Sequence, residues 1–442
     1  PAHTGAPHAV KQQVVDDAII RVTAPPGKEI PALQSLVTVF PKKQGLTWNV
    51  VPAKEALTLK TKALQAVVNM KTGAVAFYDN KGQKILTEKG ALGRSFTPAV
   101  FEGKRLYNLE QGFQTSPDDN WYGFGQHQDG IYNYKGQQVQ FFQNNTEVAI
   151  PFLISTKAYG ILWDNYSLTT AGDVRPLHPL SALQLFSKKG DAGWLTASYS
   201  NNKEKPGDVL LERAEAAISM EFLGESRIDL PAEFNPATGV VNWEGSIGSE
   251  LSGLHRLRFT FGGNLRVWLN GQLALDHWRK AWNPAPALVP VTIEKGNKVP
   301  IRIEWIPEGG ESYISLKWQE PLSKEELNSY GFASEAGQAI DYYFVYGQNM
   351  DEVIAGYRHL TGKAPIVPKW ALGFWQSRER YKTQEEILST VAEFRKRKIP
   401  LDNIVLDWSY WKEDAWGSQE FDAARFPVPA GMVETLHKQN KT

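Results

Sequence analysis

Asp407 follows the apolar run Ile404-Val405-Leu406, and Trp408, Tyr410 and Trp411 crowd in behind it. An acid released at the end of a buried strand and hemmed in by rings can bind hydroxyl groups or act in acid–base chemistry. It can equally cap a helix or pair with an arginine, and spacing alone leaves these readings open. Gln376, Ser377 and Arg378 follow Phe374-Trp375 in a similar way. A third group lies in NWYGFGQHQDGIYNYKGQ (120–137), where His127 is close to Asp129. With four glycines and several amides, this stretch reads as a long functional or mobile loop rather than a strand, and a solvated loop histidine is the competing reading of His127. HExxH, P-loop, GxSxG and strand-to-helix GxGxxG patterns are all lacking. The eight histidines show no ligand spacing and cysteine is absent, which removes disulfides, zinc thiolates and cysteine nucleophiles. No metal and no cofactor are expected.

The elements that must hold these groups fall into three blocks. Residues 1 to about 170 alternate in short runs such as DAIIRVTA and EALTLKTKALQAVVNM, broken by DNKGQ and KTGA, as in an antiparallel sandwich. From about 190 to 321 a second β pattern appears, with LRVWLNGQLALDHW (265–278) predicting a hairpin at Asn270-Gly271. The irregular segment AGDVRPLHPLSALQ between the blocks suggests two separate sandwiches, one continuous large sandwich being the alternative. After 340 the order changes. IDYYFVYG reads as a strand and NMDEVIAGYRHLTG as a helix. KWALGFWQS reads as a strand, KTQEEILSTVAEFRKRK as a helix with a Thr383/Glu386 capping box, IPLDNIVLD as a strand and VPAGMVETLHKQNK as a helix. Strand, helix, strand, helix predicts parallel βα units. A complete eight-fold barrel needs about 250 residues, so 368–442 supplies about two of its repeats. The remainder is expected from elsewhere, failing which this end is poorly ordered.

The totals narrow the function classes. A chain of 442 residues predicts two or three domains. Lys+Arg and Asp+Glu are both 48, so no basic excess points to nucleic acid, and no apolar run of about 18 residues points to a membrane span. Fifteen tryptophans fit either β-rich cores or stacking on sugars. The chain begins PAHTGAPHAV rather than with Met, and a periplasmic or extracellular location is expected although no signal peptide is visible.

Several stretches then resemble one family. WYGFGQHQDG, AIPFLISTKAYGILWDNYS, IDYYFVYGQNMDEVIAGYRHLTGKAPIVPKWALGFWQSR and IPLDNIVLDWSYW with FDAARFPVPAGMVETLH closely resemble glycoside hydrolase family 31, whose members act on α-linked sugars. Between them, VVNWEGSIGSELSGLHRLRFTFGGNLRVWLNGQLALDHW, KVPIRIEW and ISLKW resemble a PA14 domain. The arrangement resembles bacterial α-xylosidases that trim xyloglucan oligosaccharides. The implied fold is multidomain. An N-terminal antiparallel β-sandwich (1–180 and 335–362) carries an inserted PA14-like β-sandwich (185–330) and is followed by the first two βα units of a (β/α)8 barrel (363–442).

The resemblance also implies roles. Asp407 matches the aspartate that binds hydroxyls of the sugar in the −1 subsite, and Phe374, Trp375 and Gln376 match residues near the same pocket. Gln126, His127, Asp129 and Tyr132 lie in the loop matching one that helps line the active site. Trp408 either fills the space of a C5 hydroxymethyl group, favouring xylose, or packs behind the barrel. The family mechanism is retaining, with two carboxylates about 5–5.5 Å apart. Both are expected beyond Thr442, so no residue here is assigned as catalytic. In the insert, Trp278 and Trp282 are either stacking platforms for glycan or core. The implied partners are a xyloglucan-derived oligosaccharide and the remainder of the barrel. An α-glucosidase or α-transglucosylase, or for the chain alone a non-catalytic glycan-binding fragment, is the alternative.

Overall fold

The computed structural model describes residues 3–4, 9–39, 45–90, 93–143, 146–220, 230–309, 312–323 and 326–439. It divides into two units, Pro1–Gly362 and Lys363–Thr442.

The first unit contains two sandwiches with separate cores. In the N-terminal one, an eleven-stranded and a six-stranded antiparallel sheet enclose a core running from Ile20 to Ala171 and resuming at Tyr330, Phe332, Ile340, Tyr342 and Phe344. The chain returns to this sandwich after the insert. Ser329–Gly337 pairs with Lys104–Gln114 and Thr169–Gly172 in one sheet, and Ile340–Tyr346 pairs with Ile19–Ala24 and Tyr159–Trp163 in the other. The insert has its own five- and seven-stranded sheets around a core from Leu180 to Trp318. Its strands bury alternate residues, as His255, Leu257, Phe259 and Phe261 do in Gly253–Phe261, because successive side chains leave a strand on opposite faces. The hairpin forms where expected, with Asn270 and Gly271 both at positive φ between Gly263–Leu269 and Gln272–Arg279. His178–Pro179 already pairs within the insert, and the strand from Ser329 already belongs to the first sandwich. The seams therefore lie a few residues from the expected boundaries at 180, 185, 330 and 335, because turn residues mark chain reversals and not which sheet a strand joins.

Ile340–Tyr346 reads as a continuous apolar run because it is buried on both faces. Ile340, Tyr342 and Phe344 enter the sandwich core, while Tyr343 and Val345 pack under helix α1, Met350–Thr361. Asn349 caps α1 by accepting from the Glu352 N–H at 2.9 Å, and Glu352 accepts in return from the Gln348 N–H at 2.8 Å. Val353 and Leu360 seal the outer face, and Tyr357 stacks on Phe152 with centroids 4.3 Å apart.

The second unit is built as strand, helix, strand, helix. Trp375–Gln376 and Asn403–Ile404 pair in parallel, with α2 (Gln384–Lys396) between them and α3 (Pro429–Gln439) after. Tyr381, Ile387, Phe426 and Met432 form its core, joined by the partly buried Ile404, Leu406, Tyr410 and Leu436. Thr383 caps α2, accepting from the Glu386 N–H at 3.2 Å, while the Glu386 carboxylate accepts from Lys382 N rather than closing back on Thr383. Two expected strands are shorter than predicted. Lys369–Leu372 is a 3-10 turn before a two-residue strand, and Asn403–Ile404 is the strand within IPLDNIVLD, its apolar run half-buried rather than buried. Among the described residues each has one strand neighbour, so a single short ladder fixes both.

Candidate functional site

Alternation in the second unit sorts the residues near the strand ends. Ile404 and Leu406 join the core made by α2 and α3, so Val405 and Asp407 alternate onto the other side. Val405 N–H donates to the Gln376 carbonyl at 2.9 Å, and Gln376 pairs with Ile404 while Trp375 pairs with Asn403. Gln376 therefore leans to the helix side, where its amide lies 3.3 Å from the Tyr381 hydroxyl. Phe374 does the same, with its ring 6.0 Å from Phe394 of α2. Trp375 is left on the face of Asp407, half-exposed and tied by its indole N–H to the Ala371 carbonyl at 3.1 Å.

The Asp407 carboxylate is exposed and makes no hydrogen bond or ion pair among the described residues. Neither a helix cap nor an arginine partner accounts for it. Beside it Trp408 packs between a second ring and a cation. Its ring stacks on Trp416 with centroids 5.2 Å apart and planes 15° from parallel, and the Arg380 guanidinium lies 4.8 Å from its centroid. Arg380 also donates to the Ser409 hydroxyl at 3.3 Å, where Ser409 takes a positive φ that turns the chain. Further along, the Asp422 N–H donates to the Tyr410 carbonyl at 2.8 Å, and Arg425 binds both the Trp411 carbonyl and the Asp422 carboxylate. That guanidinium holds the Asp422 carboxyl below the usual carboxylate range. Arg378 points elsewhere, into an ion pair with Glu386 at 2.8 Å.

In the first unit the glycine-rich stretch begins as a strand and not as a loop. Trp121–Gln126 pairs with Val148–Ser155, with Trp121 and Phe124 buried. Glycine was a misleading sign here. A Cβ on Gly125 would fall well inside 3.0 Å of the Val148 carbonyl oxygen, so the residue is required by the ladder's close approach. Gln126, exposed, ends the strand. His127 follows with its side chain buried, Nε2 donating to the Phe124 carbonyl at 2.9 Å and Nδ1 3.4 Å from Glu147. It is not a solvated loop histidine. Asp129 caps the turn by accepting from the Ile131 N–H at 3.0 Å, and Tyr132, 84% exposed, packs edgewise on Tyr122. In the insert, Trp278 and Trp282 are half-exposed and outside the core, and the Trp278 indole is fixed by Glu308 at 2.7 Å.

Comparison with known proteins places these parts in one lineage. Residues 9–171 match the glycosyl hydrolase 31 N-terminal galactose mutarotase-like domain, and residues 364–442 match the glycosyl hydrolases family 31 TIM-barrel domain. The chain belongs to glycosyl hydrolase family 31. Residues 190–330 match the PA14 domain, so this family-31 chain carries a PA14 module between its sandwich strands. An α-xylosidase of Saccharolobus solfataricus is 29% identical over 97% of the chain and 38% of its own length. The crystal structure of a family-31 α-xylosidase from Xanthomonas citri is 41% identical, with a TM-score of 0.84 over 99% of this chain and 48% of that one. Over a shorter reach, 25% of the chain, α-glucosidase 2 of Bacillus thermoamyloliquefaciens is 42% identical. The chain thus spans less than half the length of these relatives.

Within the second unit of this family-31 chain, Asp407 and Trp408 follow the second strand and Trp375 lies in the first, while Phe374 and Gln376 turn toward the helix. Sequence reasoning missed Arg380, Trp416, Glu147 and Arg279. Arg380 stands two residues beyond Arg378 in SRERY, and only the fold tells which of the two reaches Trp408.

Proposed function

We propose that the chain is part of a retaining α-xylosidase that removes α-xylosyl residues from xyloglucan oligosaccharides. Asp407 accepts hydrogen bonds from hydroxyls of the sugar in the −1 subsite and orients the ring for attack. Trp408, held by Arg380 and Trp416, fills the volume a C5 hydroxymethyl group would need. The nucleophile and the general acid are family aspartates on strands beyond residue 442. One attacks the anomeric carbon while the other protonates the leaving oxygen and then activates water. Trp278 and Trp282 of the insert offer rings for a longer glycan. The observation that carries this reading is the exposed, unpartnered carboxylate of Asp407 on the strand face away from the helices. Support also comes from the two relatives described as α-xylosidases that align over nearly all of the chain. Residues 1–442 alone bind glycan without cleaving it.

The test is turnover of a panel of aryl α-glycosides by the full-length protein. An α-xyloside is the preferred substrate, and Asp407→Ala lowers kcat/KM on it by at least about 100-fold, as expected for losing two charged hydrogen bonds. Preference for the α-glucoside refutes the xylose reading and leaves the second one, an α-glucosidase or α-transglucosylase, which the 42% identity to α-glucosidase 2 favours. Turnover by residues 1–442 alone refutes the placement of the catalytic acids.

A further inference from the structure

The insert reaches the residues just after Gln126 through a buried side chain. Arg279 ends the strand Gln272–Arg279 of the insert and is 7% exposed. Its guanidinium donates to the Gln128 carbonyl at 3.2 Å and lies 3.8 Å from the Glu147 carboxylate. Glu147 in turn faces His127 at 3.4 Å, and its own backbone carbonyl accepts from Gln143 at 2.8 Å. One arginine from the insert thus holds two consecutive residues of the N-terminal sandwich, His127 through a carboxylate and Gln128 through its backbone.

Packing does little of this holding. A cavity of about 280 Å³ separates the two sides, lined by Asp129 and Ile131 on one and by Leu275, His277 and Arg279 on the other. From Ile131 onward the loop is anchored to its own sandwich, with Ile131 packed on the core and Tyr134 buried. Gly130, by contrast, would meet nothing within 4 Å of an added Cβ. The stretch 127–130 is therefore spanned between the strand end and Ile131, with Arg279 as its tie to the insert. Arginine suits the task, because a planar fork reaches a carbonyl and a carboxylate together, which a lysine ammonium does less well.

We propose that Arg279 is a positioning residue through which the PA14 module braces residues 127–130 in the conformation that presents Asp129 and Tyr132. The module then acts on the site by fixing a loop, whether or not it binds glycan. The bracing stands on the geometry alone, and its consequence for turnover rests on the reading of this loop as lining the substrate site.

The experiment compares Arg279→Ala, Arg279→Lys and Glu147→Gln with the unchanged full-length protein. Amide hydrogen exchange is read on peptides covering 127–130 and on the insert strand Gly263–Leu269, and steady-state kinetics on an aryl α-xyloside. Arg279→Ala speeds exchange in 127–130 by about tenfold while the insert strand stays within about twofold. KM rises with kcat little changed, and Arg279→Lys recovers part of both effects. Unchanged exchange in 127–130, or an equal rise across the insert, overturns the proposal. Faster exchange with KM unaltered overturns the positioning role. If Arg279→Ala does not fold, Glu147→Gln, which weakens the tie from the other side, gives the same reading. Absence of any α-glycoside turnover counts against the proposed function, while the exchange result still decides the brace.

Discussion

Gly125 and Gly130 both take positive φ, and both sit in the glycine-rich stretch 120–137. They differ in surroundings. A Cβ on Gly125 would collide with the Val148 carbonyl and come 2.9 Å from the Ile150 nitrogen, whereas Gly130 stands in open space. Alanine at either position carries the conformational cost of a left-handed residue, about 1–2 kcal/mol. At Gly125 the ladder must also open. The pairs Gly125↔Ala149 and Gln126↔Val148 are lost, at about 1 kcal/mol for each backbone hydrogen bond. Gly125→Ala should therefore cost about 2 kcal/mol more than Gly130→Ala, or about 30-fold in the opening equilibrium of the strand end. Global denaturation is a poor assay for a chain with separate cores. Amide exchange on peptides from Trp121–Gln126 reads the opening directly. Gly130→Ala leaves that strand within about threefold of the parent. Equal acceleration by the two substitutions would refute the argument that close backbone approach, and not φ, makes Gly125 necessary.

Trp408→Ile should raise the ratio of kcat/KM on aryl α-glucoside to that on aryl α-xyloside by about 10–100-fold, and an unchanged ratio removes the steric account. Asn349→Ala should destabilise α1 by about 1 kcal/mol, seen as faster exchange in Met350–Thr361 without change in the insert. His255 is buried between the Ser249 hydroxyl and the Gly253 carbonyl, and burial pushes its pKa below the usual histidine value, against a smaller opposing pull from Gly253 and Glu320. Because the folded value is the lower one, its contribution is present above the unfolded pKa of about 6.5 and lost as pH falls through the folded value. The insert should therefore unfold at lower urea in mild acid than near neutrality, and His255→Gln should flatten that dependence. Deleting the insert between its seams, 178–326, should raise KM for long xyloglucan oligosaccharides more than for a small aryl glycoside, an equal effect on both pointing to scaffolding alone.

Much of the fold can be read from short-range patterns. The β pattern between about 190 and 321, the Asn270-Gly271 turn and the Thr383 cap each depend on residues close together in sequence, and all three appear as expected. The places where reading failed share a cause. Glycines in Trp121–Gln126 suggested a loop, since a sequence does not display the opposing carbonyl that makes Gly125 fit a strand. The apolar run around Val405 suggested a longer strand, since a ladder's length depends on neighbours contributed from elsewhere in the fold.

The same division holds at the candidate site. The sequence alone determined that an acid follows a strand, that aromatics come close behind it and that two β blocks precede the βα units, because side-chain period and turn chemistry are local properties of the backbone. That the second block is an insert was implied by the family resemblance. Tertiary structure decided that Gln376 pairs with Ile404 and leans to the helix side while Trp375 pairs with Asn403, through the register of two parallel strands. It also decided that Arg380 and Trp416 hold Trp408, and that Arg279 reaches Gln128 across 151 residues of chain. Meetings of that kind depend on how sheets stack and where their seams fall, which no run of neighbouring residues encodes.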